Sequence, residues 1–311
     1  MNKIQYRTPA KIIFSGEHAV VYGKPALVSA IGKYLTFSVW EGKKEIKDPH
    51  ILFVVKTVQA YLKKKKIEMV KKNYDYLIES TIPIGRGLGS SAAFSVASAA
   101  AFLEFFSGKQ FEKEEINNIA YQIEKQFHSR PSGADTSASC FGGLIYFRKE
   151  FEFLKTISNL HIKIPKIIEE DLYLIDSGKP SETTSEMVEI VGREYNRDPK
   201  RMDFLFSEIE KTTKRLVVSL VKEDKIFFQK TIIKNELLLE KIGVVSKQTK
   251  QLLIFLKNFG VGKITGAGGK KGGSGYIMFY NVNKANIEEK CKELQLSCFK
   301  FISEEKGVSK L

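Results

Sequence analysis

The chain has 311 residues, 43% of them hydrophobic and 28% charged, which is enough for a large core and long enough for two packed units. It lacks a run of about 18 apolar residues and starts without the apolar stretch of a secretory signal, so no membrane partner is expected. A net charge of +14 raises nucleic-acid binding, but the lysines are spread along the chain without interleaved aromatics; a solvated basic surface that attracts small anions is expected, with no nucleic acid among the partners.

In chain order, residues 12–14 read as a strand, Ser15-Gly16-Glu17-His18 as a polar turn and 19–22 as a returning strand. Residues 34–40 alternate Leu35, Phe37 and Val39 with Thr36 and Ser38, a strand with one buried face. A helix over 51–66 and a strand over 75–82 lead into a glycine-rich turn. The next helix spans 91–106, with Gly108 placed to end it. Residues 112–127 put Ile116, Ile119, Ala120, Ile123 and Phe127 on one helical face, with Glu124 on the polar side beside that stripe. Glu112, Glu114 and Glu115 fall in the first turn, where they suit the helix dipole. Pro131 and Gly133 mark a loop, and 142–148 reads as a strand.

A second half opens near residue 166: a strand at 172–176, helices through the 180s, 203–223 and 233–259, then a strand at 263–265. A glycine-rich loop follows, then a strand at 276–280, a helix at 284–294 and a strand at 298–302. The pattern is that of an α+β protein with two domains, 1–165 and 166–311, and without internal repeats. Cys140, Cys291 and Cys298 are odd in number and lack zinc-type spacing, which fits free thiols in a cytoplasmic protein.

Four segments carry chemistry. In Ile84-Gly85-Arg86-Gly87-Leu88-Gly89-Ser90-Ser91-Ala92-Ala93, three alternating glycines let the backbone approach a ligand. The serines open a helix whose free N–H groups suit a polyphosphate, and a serine hydroxyl there can ligate Mg²⁺. No Gly-Lys-Ser/Thr follows, so this is not the P-loop, and the even spacing is not the dinucleotide fingerprint. The opening run Lys11-Ile12-Ile13-Phe14-Ser15-Gly16-Glu17-His18 packs a cation, a carboxylate and an imidazole beside a turn glycine; alone it reads equally well as surface chemistry. Glu124 and Asp135 flank His128-Ser129-Arg130-Pro131-Ser132-Gly133; one carboxylate can hold Mg²⁺ and the other can take a proton from a hydroxyl, while the plain alternative is a solvated Glu and a turn-capping Asp. Finally, residues 266–275 hold six glycines in ten positions, too many for a packed element.

In this order and spacing, the segments resemble the three signature motifs of the kinase superfamily of galactokinase, homoserine kinase, mevalonate kinase and phosphomevalonate kinase (the GHMP kinases), over nearly the whole chain. The run Lys11 to Gly23, containing Gly16-Glu17-His18-Ala19-Val20-Val21-Tyr22, looks most like the mevalonate kinase branch. The resemblance implies an N-terminal domain like the second domain of ribosomal protein S5 and a ferredoxin-like C-terminal domain, with ATP and Mg²⁺ as cofactors.

It also implies roles. Gly85, Gly87, Leu88, Gly89, Ser90 and Ser91 would wrap the phosphates, and Ser91 and Glu124 would hold Mg²⁺. Asp135 would sit beside the attacking hydroxyl with Lys11 next to it. Glu17, His18, Gly266, Ala267 and Gly268 would line the acceptor pocket. The implied reaction is phosphorylation of a small-molecule hydroxyl, mevalonate first, in a chain that can be a homodimer.

Three departures from the family pattern bear on the acceptor. The family's His-Gly-Asn-Pro-Ser-Gly is His-Ser-Arg-Pro-Ser-Gly at 128–133. The segment Asp176-Ser177-Gly178-Lys179-Pro180-Ser181-Glu182-Thr183-Thr184 lacks the basic residue of Pro-Arg-Ser/Thr-Thr. Lys270-Lys271 interrupts the last glycine run, and Ser274 replaces its cysteine. The added charges of Arg130, Lys270 and Lys271 raise an already phosphorylated acceptor as an alternative. A non-catalytic binding protein with a basic surface is a further one.

Overall fold

A computed structural model describes residues 3–43, 46–70, 72–128, 131–152, 154–160 and 162–311. The chain begins with β1 (Ile4–Ser15), a 3-10 turn at Ala19–Tyr22 and β2 (Ala26–Glu41), followed by α1 (Pro49–Lys64), β3 (Tyr74–Ser80), α2 (Ser90–Ser107), α3 (Lys113–Phe127), α4 (Ala134–Phe141), β4 (Leu144–Phe151) and β5 (Leu154–Leu160). After α5 (Lys166–Glu169) come β6 (Leu172–Asp176), α6 (Thr184–Arg197), α7 (Pro199–Val221), α8 (Lys225–Ile242) and α9 (Lys247–Leu256), then β7 (Val261–Ile264), β8 (Tyr276–Tyr280), α10 (Ile287–Glu293), β9 (Cys298–Lys300) and β10 (Ser309–Lys310).

These strands form two sheets. The first runs β10-β1-β2-β4-β5, with β3 also pairing with β2; the second runs β7-β8-β6-β9. Strand β2 is long enough to pair with β1 throughout, while β3 takes residues 35–41 on its other edge and β4 takes residues 26–29. Helix α2 packs on β1 and β2 and is buried almost all round, because its small residues let neighbours approach from every side. By length and composition α2 could also cross a membrane, but 78% of it is buried inside the fold, as expected of a core helix.

Several expectations need correction. Residues 19–22 form a single 3-10 turn, entered through His18 at φ 58° and closed by Gly23 in the left-handed region, not a strand. The helix expected over 233–259 is two: Gly243 ends α8 in the left-handed region, and Ser246 caps α9 by accepting from Thr249 N. Helix α4 and strand β5 were not anticipated, and β1 starts well before residue 12.

The end of the chain folds back over the beginning. Gly32 N donates to Ile302 O, Gly143 N to Glu304 O, Val308 N to Cys140 O and Leu311 N to Gln5 O. Tyr6 and Arg7 pair with Lys310 and Ser309. The thiols of Cys140 and Cys291 are buried and that of Cys298 is half-buried, all free.

Candidate active site

A cavity of about 560 Å³ opens where the two sheets' loops meet, and all four of the chemistry-bearing segments line it. Gly85, Gly87 and Gly89 have φ of 68°, 83° and 77°, so the loop turns its N–H groups in a way side-chain-bearing residues resist. The reasons for two of these glycines are local. A Cβ at Gly87 would lie 2.7 Å from Thr265 O, and one at Gly89 would lie 2.8 Å from Lys11 Cγ. The first glycine run is thus packed backbone-to-backbone against the last one. Gly89 also begins α2, whose N-terminus has no side-chain cap and no acidic residue in its first turn, leaving N–H donors and the positive end of the dipole facing the cavity. Ser90 and Ser91 line the cavity; Leu88 does not, its side chain being fully buried in the core and its carbonyl accepting from Lys11 N.

Lys11, on β1, is 2% exposed. Its ammonium lies 2.9 Å from Asp135 Oδ2 and donates to Gly87 O at 3.1 Å. Asp135 sits in the first turn of α4, whose N-cap, Gly133, has φ 95°. Lys11 and Asp135, far apart in the sequence, therefore meet at the cavity wall beside the phosphate-type loop.

Glu124 was expected on a polar face, but it is 3% exposed. Its carboxylate accepts from Ser91 Oγ at 2.7 Å and Ser95 Oγ at 2.9 Å, and His128 Nε2 lies 3.2 Å away. Burial lowers the basicity of His128, but its hydrogen bond to Glu124 and the charges of Glu124 and Asp135 carry it above the usual imidazole range. Among the described residues no lysine or arginine pairs with Glu124; its ionic partner there is His128, and the carboxylate lines the cavity. Among those residues no three His, Cys, Asp or Glu side chains cluster as a metal site. Mg²⁺ needs only one or two protein oxygens when phosphates and water supply the rest, and the adjacent Ser91 and Glu124 fit that demand.

Glu17 and His18 also reach the cavity wall. Glu17 forms a fully buried ion pair with Lys263 on β7, leaving its Oε2 unpartnered. Burial raises its pKa against the pull of Lys263. The ring of His18 is held by Ala267 O at 2.9 Å; burial outweighs that carbonyl and keeps the imidazole below its usual range. A neutral ring with Nε2–H donating to the carbonyl follows. Gly266, Ala267 and Gly268 line the same wall.

One participant escaped the sequence reading. Lys263 was seen only as the start of the last motif, although a lysine in a short apolar strand calls for a buried partner. Residues 179–185, from the loop after β6 and the start of α6, form another wall of the cavity. Lys270 and Lys271 are exposed and do not line it; their N–H groups donate to Glu182 Oε2 at 3.1 and 3.3 Å. Ser129 and Arg130 lie outside the described residues.

The chain is similar to known kinases over most of its length. Residues 52–143 match the family described as GHMP kinases N terminal domain. A mevalonate kinase of Archaeoglobus fulgidus is 34% identical, the match covering 84% of this chain and 88% of that protein. One from Pyrococcus abyssi is 30% identical over 87% of both. Among solved structures, the Methanococcus jannaschii mevalonate kinase superposes with a TM-score of 0.77 at 26% identity, covering 97% of this chain and 99% of that one.

Proposed function

The chain belongs to the GHMP kinases and is a small-molecule kinase with their α+β fold, and from that premise we propose that it transfers the terminal phosphoryl group of ATP to the hydroxyl of mevalonate, giving 5-phosphomevalonate. The observation that carries this reading is the Lys11–Asp135 pair, 2.9 Å apart, set into the cavity wall against the loop of residues 85–91.

Phosphoryl transfer requires little covalent work from the protein; in-line placement and neutralisation of oxygens dominate. The loop of residues 85–91 and the N-terminus of α2 offer N–H donors for a polyphosphate. Ser91 and Glu124 would hold Mg²⁺, which when bound offsets charge on the phosphate oxygens. The carboxylate of Asp135 orients the acceptor hydroxyl and receives its proton. Lys11 holds that carboxylate in place through their 2.9 Å contact and faces the oxygens that gain charge during transfer. Glu17, His18 and Gly266–Gly268 form the acceptor side, and the two domains, 1–165 and 166–311, bring these walls together. Mevalonate is preferred over an already phosphorylated acceptor because Lys270 and Lys271 lie away from the cavity lining and because the relatives above bear its name.

A coupled assay of ADP release tests the reading, with mevalonate, phosphomevalonate, galactose and homoserine as acceptors. Turnover should be highest with mevalonate. No ADP release above background with mevalonate, while another acceptor turns over, would discard it.

A further inference from the structure

The loop after β6 carries a lysine that lines the cavity beside the phosphate-type loop. We propose that Lys179 is a phosphate-binding residue that holds the nucleotide's phosphate tail at the Gly85 end of the loop of residues 85–91; this rests on the kinase reading above. Lys179 lies in the loop between β6 and α6 and lines the same cavity as Gly85, Ser90 and Ser91. A Cβ placed on Gly85 would be 3.3 Å from its Cε and 4.0 Å from its Nζ. The ammonium therefore stands directly over the first of the three left-handed glycines. Among the described residues it has no hydrogen bond or ion pair, and the side chain is exposed.

The neighbouring cation is committed elsewhere. Arg86, in the phosphate-type loop itself, is paired with Asp176. That pair ties the two loops together, and the backbone around Lys179 is fixed on both sides. Gly178 N donates to Asp176 Oδ1 at 2.9 Å, Gly275 N to Gly178 O at 3.0 Å, and Ser181 N to Lys271 O at 3.2 Å. Pro180 bridges to Gly272. A free ammonium on an anchored backbone, facing a concave run of N–H groups, is a bracket for an oxyanion.

Two sources of phosphate could meet this ammonium, the nucleotide or a phosphorylated acceptor. Its place over Gly85, with Lys11 and Asp135 beside Gly87 and Gly89 instead, assigns it to the nucleotide. The test is calorimetric titration of ATP, ADP and AMP into the wild type, Lys179→Ala, Lys179→Gln and Lys179→Arg, together with steady-state kinetics. The two neutral variants should weaken ATP and ADP on the order of tenfold, as loss of one charge-assisted contact does. AMP affinity and the KM for the acceptor should hold, and Lys179→Arg should recover most of the loss. ATP affinity within about twofold of wild type in both neutral variants would overturn the proposal, as would equal weakening of ATP, ADP and AMP, or a defect confined to phosphomevalonate as acceptor. A wild type that binds ATP yet does not turn over mevalonate would sink the acceptor assignment and leave this test readable; a wild type that binds no ATP would sink both.

Discussion

The ammonium of Lys263 and the carboxylate of Glu17 meet where both side chains are wholly shielded from solvent. Lys263 also donates to Ile13 O at 3.2 Å and Ile264 O at 2.6 Å, so one buried charge joins β1, the turn that carries Glu17 and His18, and β7. Removing one partner leaves the other charge buried and uncompensated. Lys263→Met should cost about 3–5 kcal/mol of unfolding free energy. Lys263→Met/Glu17→Gln should recover a large part of it. Urea denaturation of both variants checks this, and an equal loss in the two would point to packing instead of charge.

Asp135→Asn keeps the size of the side chain and removes the proton acceptor. Turnover should fall by a factor on the order of 10²–10⁴, while calorimetric ATP affinity changes little, because Asp135 faces Lys11 and not the N-terminus of α2. Turnover near wild type would refute its role.

Ser91→Ala removes one of the two oxygens proposed for Mg²⁺, and Glu124 keeps its bonds to Ser95 and His128. The Mg²⁺ concentration needed for half-maximal rate should rise, with the rate recovering at high Mg²⁺. An unchanged Mg²⁺ titration counts against Ser91 as a ligand.

Glu236, on α8, accepts from Ile264 N at 2.9 Å and leaves Oε1 unpartnered. Burial raises its pKa to about 7, against the pull of the Ile264 N–H and Lys263. The folded state therefore holds a proton that the unfolded chain releases near 4.5, so this group's contribution is complete below that pH and is lost as pH rises through about 7. The contribution is roughly 3 kcal/mol. Urea midpoints between pH 5 and 8 should fall less steeply for Glu236→Gln than for the wild type. Parallel curves would assign the slope to other groups.

Gly89→Ala places a methyl group against Lys11 Cγ and forces a side-chain-bearing residue to φ 77°. A cost of about 1–2 kcal/mol is expected from the backbone alone, and displacement of Lys11 should lower kcat by more than tenfold. A variant that is destabilised yet fully active would show that Lys11 can shift without consequence.

Much of the site was legible in the sequence because its chemistry is local. The three glycines before a serine pair, the Lys11–His18 run and the Glu124–Asp135 spacing each sit within a short stretch. What stayed hidden depends on distant partners. Glu124 lies at the border of the apolar stripe of α3, and only the approach of Ser91 and Ser95 from α2 decides that it is buried. Lys263 alternates correctly for a strand, so its meeting with Glu17 left no periodic trace. The strand expected at 19–22 failed because four apolar-rich residues cannot distinguish a period of two from a tight helical turn. The single helix over 233–259 failed because Gly243 reads equally well as an interior residue until its left-handed backbone is seen. Helices α2 and α3, with whole turns of consistent pattern, were placed nearly to the residue.

The pairing of Ser309 and Lys310 with β1 has a consequence for biosynthesis. The strand that bears Lys11 leaves the ribosome long before Ser309 and Lys310, which cover its outer edge. Until then that edge is open to other chains. A nascent polypeptide stalled before residue 302 should remain chaperone-bound, and release should coincide with arrival of β10.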